Sequence, residues 1–156
     1  MNLIIGSPWW LVALLMLALG AAALEDALRF RISNLTCGAV FGAALVAIAI
    51  HGFSPGLWQN AAVFAAILAL GTLAFAAGWM GGGDVKLIGA LALWLPWQAV
   101  LGLLVIMSLA GGALTIAMLI RKRLTRSEGV LEIPYGVAIA FGGLWLISER
   151  FLNQFG

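Results

Sequence analysis

A carboxylate and an ammonium group follow three glycines in the stretch Gly81-Gly82-Gly83-Asp84-Val85-Lys86-Leu87. The stretch lies in a chain of 156 residues that is 64% hydrophobic and 9% charged. A soluble domain would carry roughly a quarter charged residues, so this chain has too few polar side chains to cover its own surface. The composition therefore predicts a membrane protein. An ionisable group is costly to keep in such surroundings, which makes Asp84 a candidate functional residue.

The apolar runs on either side of this stretch are long and continuous. They favour membrane helices over the alternating strands of a membrane barrel. We predict an all-α, polytopic fold of six transmembrane helices, over residues 9–24, 35–50, 57–78, 84–95, 97–120 and 133–147. The fourth helix is short: about twelve residues rise about 18 Å, less than the roughly 30 Å of a hydrocarbon core. We expect a turn after it, at Leu95-Pro96-Trp97.

The chain contains no internal repeat and no tract long and polar enough to form a soluble domain. We therefore expect residues 1–156 to form a single membrane-embedded domain. No lysine or arginine precedes the first apolar run, whereas a secretory signal peptide has a positively charged start. The first run is accordingly predicted to be a retained helix.

Basic residues are distributed unevenly between the two sides of this predicted bundle. Only Arg150 falls on one side, and the other side carries Arg29, Arg31, Lys86, Arg121, Lys122, Arg123 and Arg126. The positive-inside rule makes the basic side cytoplasmic and turns both termini outward. Tryptophans favour the membrane interface, and those expected at the outer one are Trp9, Trp10, Trp58, Trp94 and Trp97.

The two aspartates of the chain fall at the same depth in this topology. Asp26 ends the first span and Asp84 begins the fourth, both on the cytoplasmic side. Two carboxyl groups that approach closely cannot both ionise easily, so they share a proton. One can then act as general base on a water, and the other as general acid toward a scissile carbonyl oxygen. The pair therefore indicates peptide hydrolysis by an aspartic mechanism.

Each aspartate also has a simpler interpretation. Asp84 can be an N-cap, and Asp26 can be a surface carboxylate paired with Arg29 one turn later. The three successive glycines favour a functional site, because glycine permits positive φ and close backbone approach. Lys86 also favours a functional site. A cation is disfavoured in the first turn of a helix unless it pairs with a carboxylate or a bound carbonyl.

Three stretches of the chain resemble motifs of one family, the type IV prepilin peptidases, which are membrane aspartyl proteases. The glycine-rich stretch resembles their GxGD-x-K-L signature. Asp26-x-x-Arg29-x-Arg31-Ile32-Ser33-Asn34 resembles their D-x-R-x-x-x-I-P-N stretch, and Pro134-Tyr135-Gly136-Val137-Ala138-Ile139-Ala140 resembles P-Y-G-P-A-I-A. Ser33 and Val137 stand where the family usually has proline.

The resemblance implies that Asp26 and Asp84 are the catalytic pair, supported by Gly81, Gly83 and Lys86. It implies a single prepilin peptidase domain that cleaves the leader of Flp/Tad-type prepilins at the cytoplasmic face of the bacterial inner membrane. The chain's size resembles the short type of enzyme, which lacks the N-methylating region, so methylation is not expected.

The expected partners are a prepilin or pseudopilin with an N-terminal leader, and membrane lipid. Glu128 and Glu132 are predicted on the cytoplasmic side, where they would attract a basic leader. We expect no metal, no cofactor and no nucleic acid; with one cysteine, Cys37, the chain can form no internal disulfide. Two alternatives stay open: a small proton- or cation-coupled transporter, and a catalytically silent pilus-assembly factor that binds the leader without cutting it.

Overall fold

The computed structural model describes residues 1–125 and 133–153, and these residues form six α-helices. In chain order they are α1 (Trp9–Arg29), α2 (Asn34–His51), α3 (Leu57–Ala76), α4 (Gly82–Trp94), α5 (Trp97–Thr125) and α6 (Tyr135–Leu152). All except α4 are long and apolar enough to cross a membrane. The prediction of an all-α, multi-pass membrane protein with a short fourth helix is confirmed. Glu128 and Glu132 lie outside the described residues.

The short helix α4 is the innermost one. Ten of its 13 residues are buried, because α2, α3 and α6 pack around it. A helix that is apolar on all sides is typical of such a central position. The neighbouring helices shield α4 from lipid, so it does not need the length of a membrane span.

Three helices continue past their predicted ends, and for the same reason. α6, predicted to end at residue 147, continues through Arg150 to Leu152. α1 continues past Asp26 to Arg29, and it ends where Phe30 adopts a left-handed conformation with φ 52°. α5 continues through the basic run that begins at Arg121 and ends at Thr125. Arginine, lysine and glutamate are good helix formers, so such charged residues indicate where a helix leaves the apolar layer and not where it ends.

The glycine run begins α4 and does not form a loop. Gly81 is the N-cap residue with φ −73°, and Gly82 and Gly83 are already helical. A positive φ of 74° occurs earlier, at Gly78, just after α3 ends. The expectation of positive φ in the run is therefore wrong. The expectation of close approach is correct for Gly83, where a Cβ atom would lie 3.0 Å from Cβ of Ile32.

The C-terminal end of α4 is covered by residues 1–8 and by α3. The amide of Leu3, a fully buried residue, donates to the carbonyl of Trp94 at 3.1 Å. Asn60 of α3 is also fully buried, and its amide nitrogen donates to the carbonyl of Leu93 at 2.8 Å. These bonds satisfy carbonyls that a helix end leaves without partners.

The prediction that Trp94 lies at the outer interface is wrong. Its ring is fully buried, and the indole N–H donates to the backbone carbonyl of Val40 in α2 at 3.1 Å. The remaining tryptophans of that group keep large exposed surfaces, as an interfacial position requires: Trp9, Trp10, Trp58 and Trp97. Trp94 differs because it belongs to the central helix.

Candidate active site

The helices run alternately up and down, so each end of the bundle collects residues that are distant in sequence. One end, here called the site end, holds the C-termini of α1, α3 and α5 and the N-termini of α2, α4 and α6. The opposite end, here called the closed end, holds residues 1–8, Asn60 and Trp94. Asp26 near the end of α1 and Asp84 at the start of α4 both lie at the site end.

Asp26 is buried against the N-terminus of α6. Its side chain is 5% exposed, and its Oδ2 accepts a hydrogen bond from the amide of Val137 at 3.3 Å. The amide of Gly136 also donates to this carboxylate. Unpaired amides in the first turn of a helix favour a negative charge. Asp26 therefore finds its partners in α6, and not in Arg29 one turn later.

Gly136 lies so close to Asp26 that a side chain would not fit between them. A Cβ atom at Gly136 would lie 2.8 Å from Oδ2 and 2.9 Å from Cβ of Asp26. The glycine of the third motif thus makes room for the aspartate of another motif, 110 positions earlier in the chain. This contact gives the third motif a physical reason that its sequence alone does not reveal.

Asp84 occupies the first turn of α4, three residues after the N-cap. Its Oδ2 accepts a hydrogen bond from the amide of Gly81 at 3.2 Å. Asp84 is thus not the N-cap itself, and the bond holds its carboxylate over the start of the helix. A Cβ atom at Gly81 would lie 2.9 Å from the same oxygen, so a side chain at this position would shift the carboxyl group of Asp84.

The ionisation of Asp84 is coupled to that of Asp26. Asp84 is 8% exposed, so its carboxyl group is largely shielded from solvent. It belongs to α4, which is not one of the five helices long and apolar enough to cross a membrane. Burial and, to a lesser extent, the negative charge of Asp26 raise the pKa of Asp84 from 3.8 to about 6, and the Gly81 hydrogen bond opposes both. The two carboxyl groups therefore interact electrostatically.

Both aspartates line one cavity of about 540 Å³ at the site end, here called the dyad cavity. A second cavity of about 360 Å³, here called the side cavity, also contains Asp84. The residues common to both are Phe30, Arg31, Gly81 and Asp84. Asp84 consequently has open space on two sides, as a residue must have if an extended peptide is to pass across it.

Phe30 combines a strained backbone with a position between the two cavities. It is the single non-glycine residue with positive φ in the described part of the chain, and such a conformation costs about 1–2 kcal/mol. Its amide donates to the carbonyl of Asp26 at 2.8 Å. Strained residues of this kind cluster at functional sites.

The ammonium group of Lys86 lies against α2. It donates to the side-chain oxygen of Asn34 at 2.7 Å. The structure therefore gives Lys86 an uncharged partner, where the sequence indicated a carboxylate or a bound carbonyl. Its role in support of the motif stays a prediction, as do those of Gly81 and Gly83.

Sequence reasoning missed the bonds that hold the connection between α1 and α2. Glu25 accepts from the amide of Ser33 at 2.8 Å and from its hydroxyl at 3.1 Å. The hydroxyl of Ser33 in turn accepts from the amide of Thr36 at 3.1 Å and caps α2. A serine just before an apolar helix is a known N-cap signal and could have revealed the second bond.

The described residues do not assemble a metal-binding cluster. Within residues 1–125 and 133–153, no three His, Cys, Asp or Glu side chains converge. The expectation of no metal and no cofactor stays a prediction.

Comparison with known proteins connects this site to one family. The family described as "Type IV leader peptidase family" matches residues 13–116, about two thirds of the chain, and this part contains both aspartates. The "Prepilin leader peptidase/N-methyltransferase" of Aeromonas hydrophila is 35% identical over 82 residues, which cover 49% of this chain and 27% of the relative. The protein of the same description from Aeromonas salmonicida (strain A449) is 37% identical over 67 residues, covering 43% of this chain and 22% of the relative.

The matched segment spans about a quarter of the length of these curated relatives. No solved structure matches the chain.

Proposed function

The chain belongs to the type IV leader peptidase family, and from this premise we propose that it is an aspartic endopeptidase that removes the leader of type IV prepilins of the Flp/Tad class. Asp26 and Asp84 are the catalytic residues of this proposal. The observation that carries it is the dyad cavity, which both carboxyl groups line and in which the charge of one raises the pKa of the other.

The hydrogen bonds of the two aspartates differ. Asp26 accepts from two amides at the N-terminus of α6, and Asp84 accepts from the amide of Gly81. Burial and the nearby charge of Asp26 raise the pKa of Asp84. One carboxyl group of the pair acts as general base on a water, and the other, which keeps a proton, acts as general acid toward the carbonyl oxygen of the scissile bond. The pair titrates as a unit, so both carboxyl groups contribute to any measured pKa.

The proposed topology places the site end at the cytoplasmic face of the bacterial inner membrane. Six of the described basic residues lie at this end of the helices, and Arg150 lies at the other. An excess of lysine and arginine is typical of the cytoplasmic side. The leader, which emerges from the membrane on that side, would then reach the dyad cavity without crossing the bilayer.

The test is cleavage of a purified Flp/Tad-type prepilin by the protein in lipid nanodiscs. Asp26→Asn and Asp84→Asn keep the size of each side chain. Each replaces a carboxyl group that would take up or release a proton with an amide that cannot. We expect each to lower the cleavage rate by about a hundredfold to ten-thousandfold, as loss of a general acid or base does. Mass spectrometry of the products locates the cleaved bond.

Glu25→Gln is the matched control, because Glu25 precedes Asp26 on α1 and binds Ser33 outside the dyad cavity. We expect it to retain cleavage within a few fold. Full processing by either aspartate variant would exclude the aspartic mechanism. A wild-type protein that binds the prepilin and yields no product would instead support the assembly-factor alternative.

A further inference from the structure

A groove between α2 and α3 lies next to the side cavity. Along α4, Gly83 lines the side cavity, and Lys86 and Ala90 line the groove about one and two turns farther along the helix. On α3, Phe75 lines the side cavity and Leu68 lines the groove. The two spaces therefore follow one another along α3 and α4, starting from Asp84, and α2 lines the groove.

The groove has a polar mouth and an apolar interior. The hydrogen bond between Lys86 and Asn34 stands at the mouth, at the depth where a lysine reaches the membrane surface. The rings of Phe41 and Phe64, with centroids 5.7 Å apart, close the deep end. Between them the groove has a volume of about 250 Å³, enough for one or two large apolar side chains and not for a helix backbone.

Gly38 leaves the α2 side of this groove unfilled. It lines the groove, and a Cβ atom built on it meets no atom within 4 Å. A glycine on a membrane helix commonly admits a second helix to close contact. Here no helix of the described chain occupies that space.

We propose that the groove between α2 and α3 receives the apolar helix of the substrate, the segment that follows the scissile bond. This inference rests on the proposed function, since it takes the substrate to be a prepilin. The helix of the substrate would lie against Gly38. Its apolar side chains would enter the groove between the mouth and the Phe41–Phe64 pair. The peptide bond at its cytoplasmic end would then meet Asp84 through the side cavity. From Gly83 to Ala90 the path is about 10 Å, or two turns of helix.

Photo-crosslinking tests the placement without requiring cleavage. A prepilin carrying benzoylphenylalanine four residues after the scissile bond is bound to the Asp84→Asn protein in nanodiscs and irradiated. We expect mass spectrometry to find the crosslink in residues 34–41 of α2 or residues 64–75 of α3. Crosslinks concentrated on α5 or α6 would overturn the proposal.

Cleavage kinetics test it a second way. Gly38→Leu fills the groove with a residue of higher helix propensity, so α2 should still form. For a prepilin with its full apolar segment, we expect kcat/KM to fall about tenfold, mainly through KM. For a peptide truncated shortly after the scissile bond, we expect a change of less than about twofold, because the lost contact is absent.

Gly112→Leu is the matched control, since Gly112 lies exposed on α5 with no atom near its Cβ position. Equal losses on long and short substrates, or none on either, would contradict substrate docking. Release of a co-purified phospholipid by Gly38→Leu, with unchanged cleavage, would make the groove a lipid site. A crosslink in α2 or α3, together with no cleavage by the wild type, would support the docking site and contradict the proposed protease activity.

Discussion

The two ends of the bundle differ in how their polar groups are satisfied. At the closed end the side chain of Asn60 is fully buried, and both its oxygen and its nitrogen have hydrogen-bond partners. Asn60 donates to Met1 and to Leu93, both at 2.8 Å, and it accepts from the Met1 amine at 2.8 Å. The indole of Trp94 donates to Val40 in the same buried layer. This end has the character of a structural core.

The site end contains two cavities, a strained residue and two aspartates whose hydrogen bonds to backbone amides are long. Asp26 and Asp84 each accept from backbone amides at 3.2 to 3.3 Å. Phe30 holds a left-handed conformation beside them. If the aspartates exchange protons with a substrate, as we propose, they cannot be fully bonded within the protein, and this end would be less stable as a consequence. Substitutions at the closed end should therefore change stability, and substitutions at the site end should change activity.

The largest effect is expected for Asn60→Ala, which removes the central donor of the closed end. The carbonyls of Met1 and Leu93 would remain buried without this partner. We expect a loss of about 3 kcal/mol in the free energy of unfolding and a decrease of about 6–12 °C in Tm. Thermal unfolding in detergent measures it.

Gln59→Ala, on the neighbouring and less buried residue of α3, is the control and should change Tm by less than about 2 °C. The folded fraction of Asn60→Ala should cleave prepilin at a normal rate. A stable Asn60→Ala protein with little activity would contradict the division between the two ends.

Gly136→Ala should produce the converse result at the site end. The added methyl group would lie within 3 Å of Asp26 and force its carboxyl group to move. Displacing a catalytic group by about 1 Å costs about a hundredfold in rate, so we expect kcat to fall by about that factor with Tm changed little. Gly102→Ala on α5, where a Cβ atom meets nothing within 4 Å, should have normal activity. A Gly136→Ala enzyme with wild-type kcat would show that the position of Asp26 is not critical.

The raised pKa of Asp84 predicts that the free energy of unfolding decreases as the pH rises. The folded protein holds this proton with a pKa of about 6, above the ordinary 3.8. Stability is therefore lost as the pH rises through about 6, where the buried group must ionise. Asp84→Asn removes this loss and can still accept from Gly81. We expect its Tm to exceed that of the wild type by about 3–6 °C at pH 8 and to equal it at pH 4. An equal difference at both pH values would refute the assignment.

The six helices and the shared end of the two aspartates follow from the sequence, because long apolar runs and their alternating direction are local properties. Even the short α4 is evident, since a glycine run precedes it and a proline follows it. The exact ends of α1 and α5 do not follow. They depend on backbone conformations such as that of Phe30, to which the charge pattern gives no guide.

The features that sequence reasoning missed, at both ends of the bundle, all depend on tertiary contacts. In the sequence, Asn60 is a single polar residue in an apolar span. The structure shows that it donates a hydrogen bond to a carbonyl at the end of α4. Gly136 belongs to the third motif, but that motif does not reveal that Gly136 lies against Asp26. The partner of Lys86 is Asn34, which lies 52 positions earlier in the chain. Pairings of this range leave no periodic pattern from which they could be predicted.

The smallest effect is expected for Ser33→Ala, at the connection between α1 and α2. The change removes the N-cap of α2 and one of the two bonds to Glu25, and it keeps the bond from the Ser33 amide. Loss of an N-cap costs about 1 kcal/mol, so we expect Tm to fall by about 2–4 °C and cleavage to stay within about threefold.

The control for this substitution is Ser108→Ala, which removes an exposed hydroxyl that bonds within α5 and caps nothing. It should leave Tm within about 1 °C of the wild type. The size of the Ser33→Ala effect bears directly on the difference between the two ends. A fall in Tm as large as that of Asn60→Ala would mean that the loop beside Asp26 is as firmly held as the closed end. In that case, the open cavities around the aspartates could not be attributed to weaker bonding at the site end.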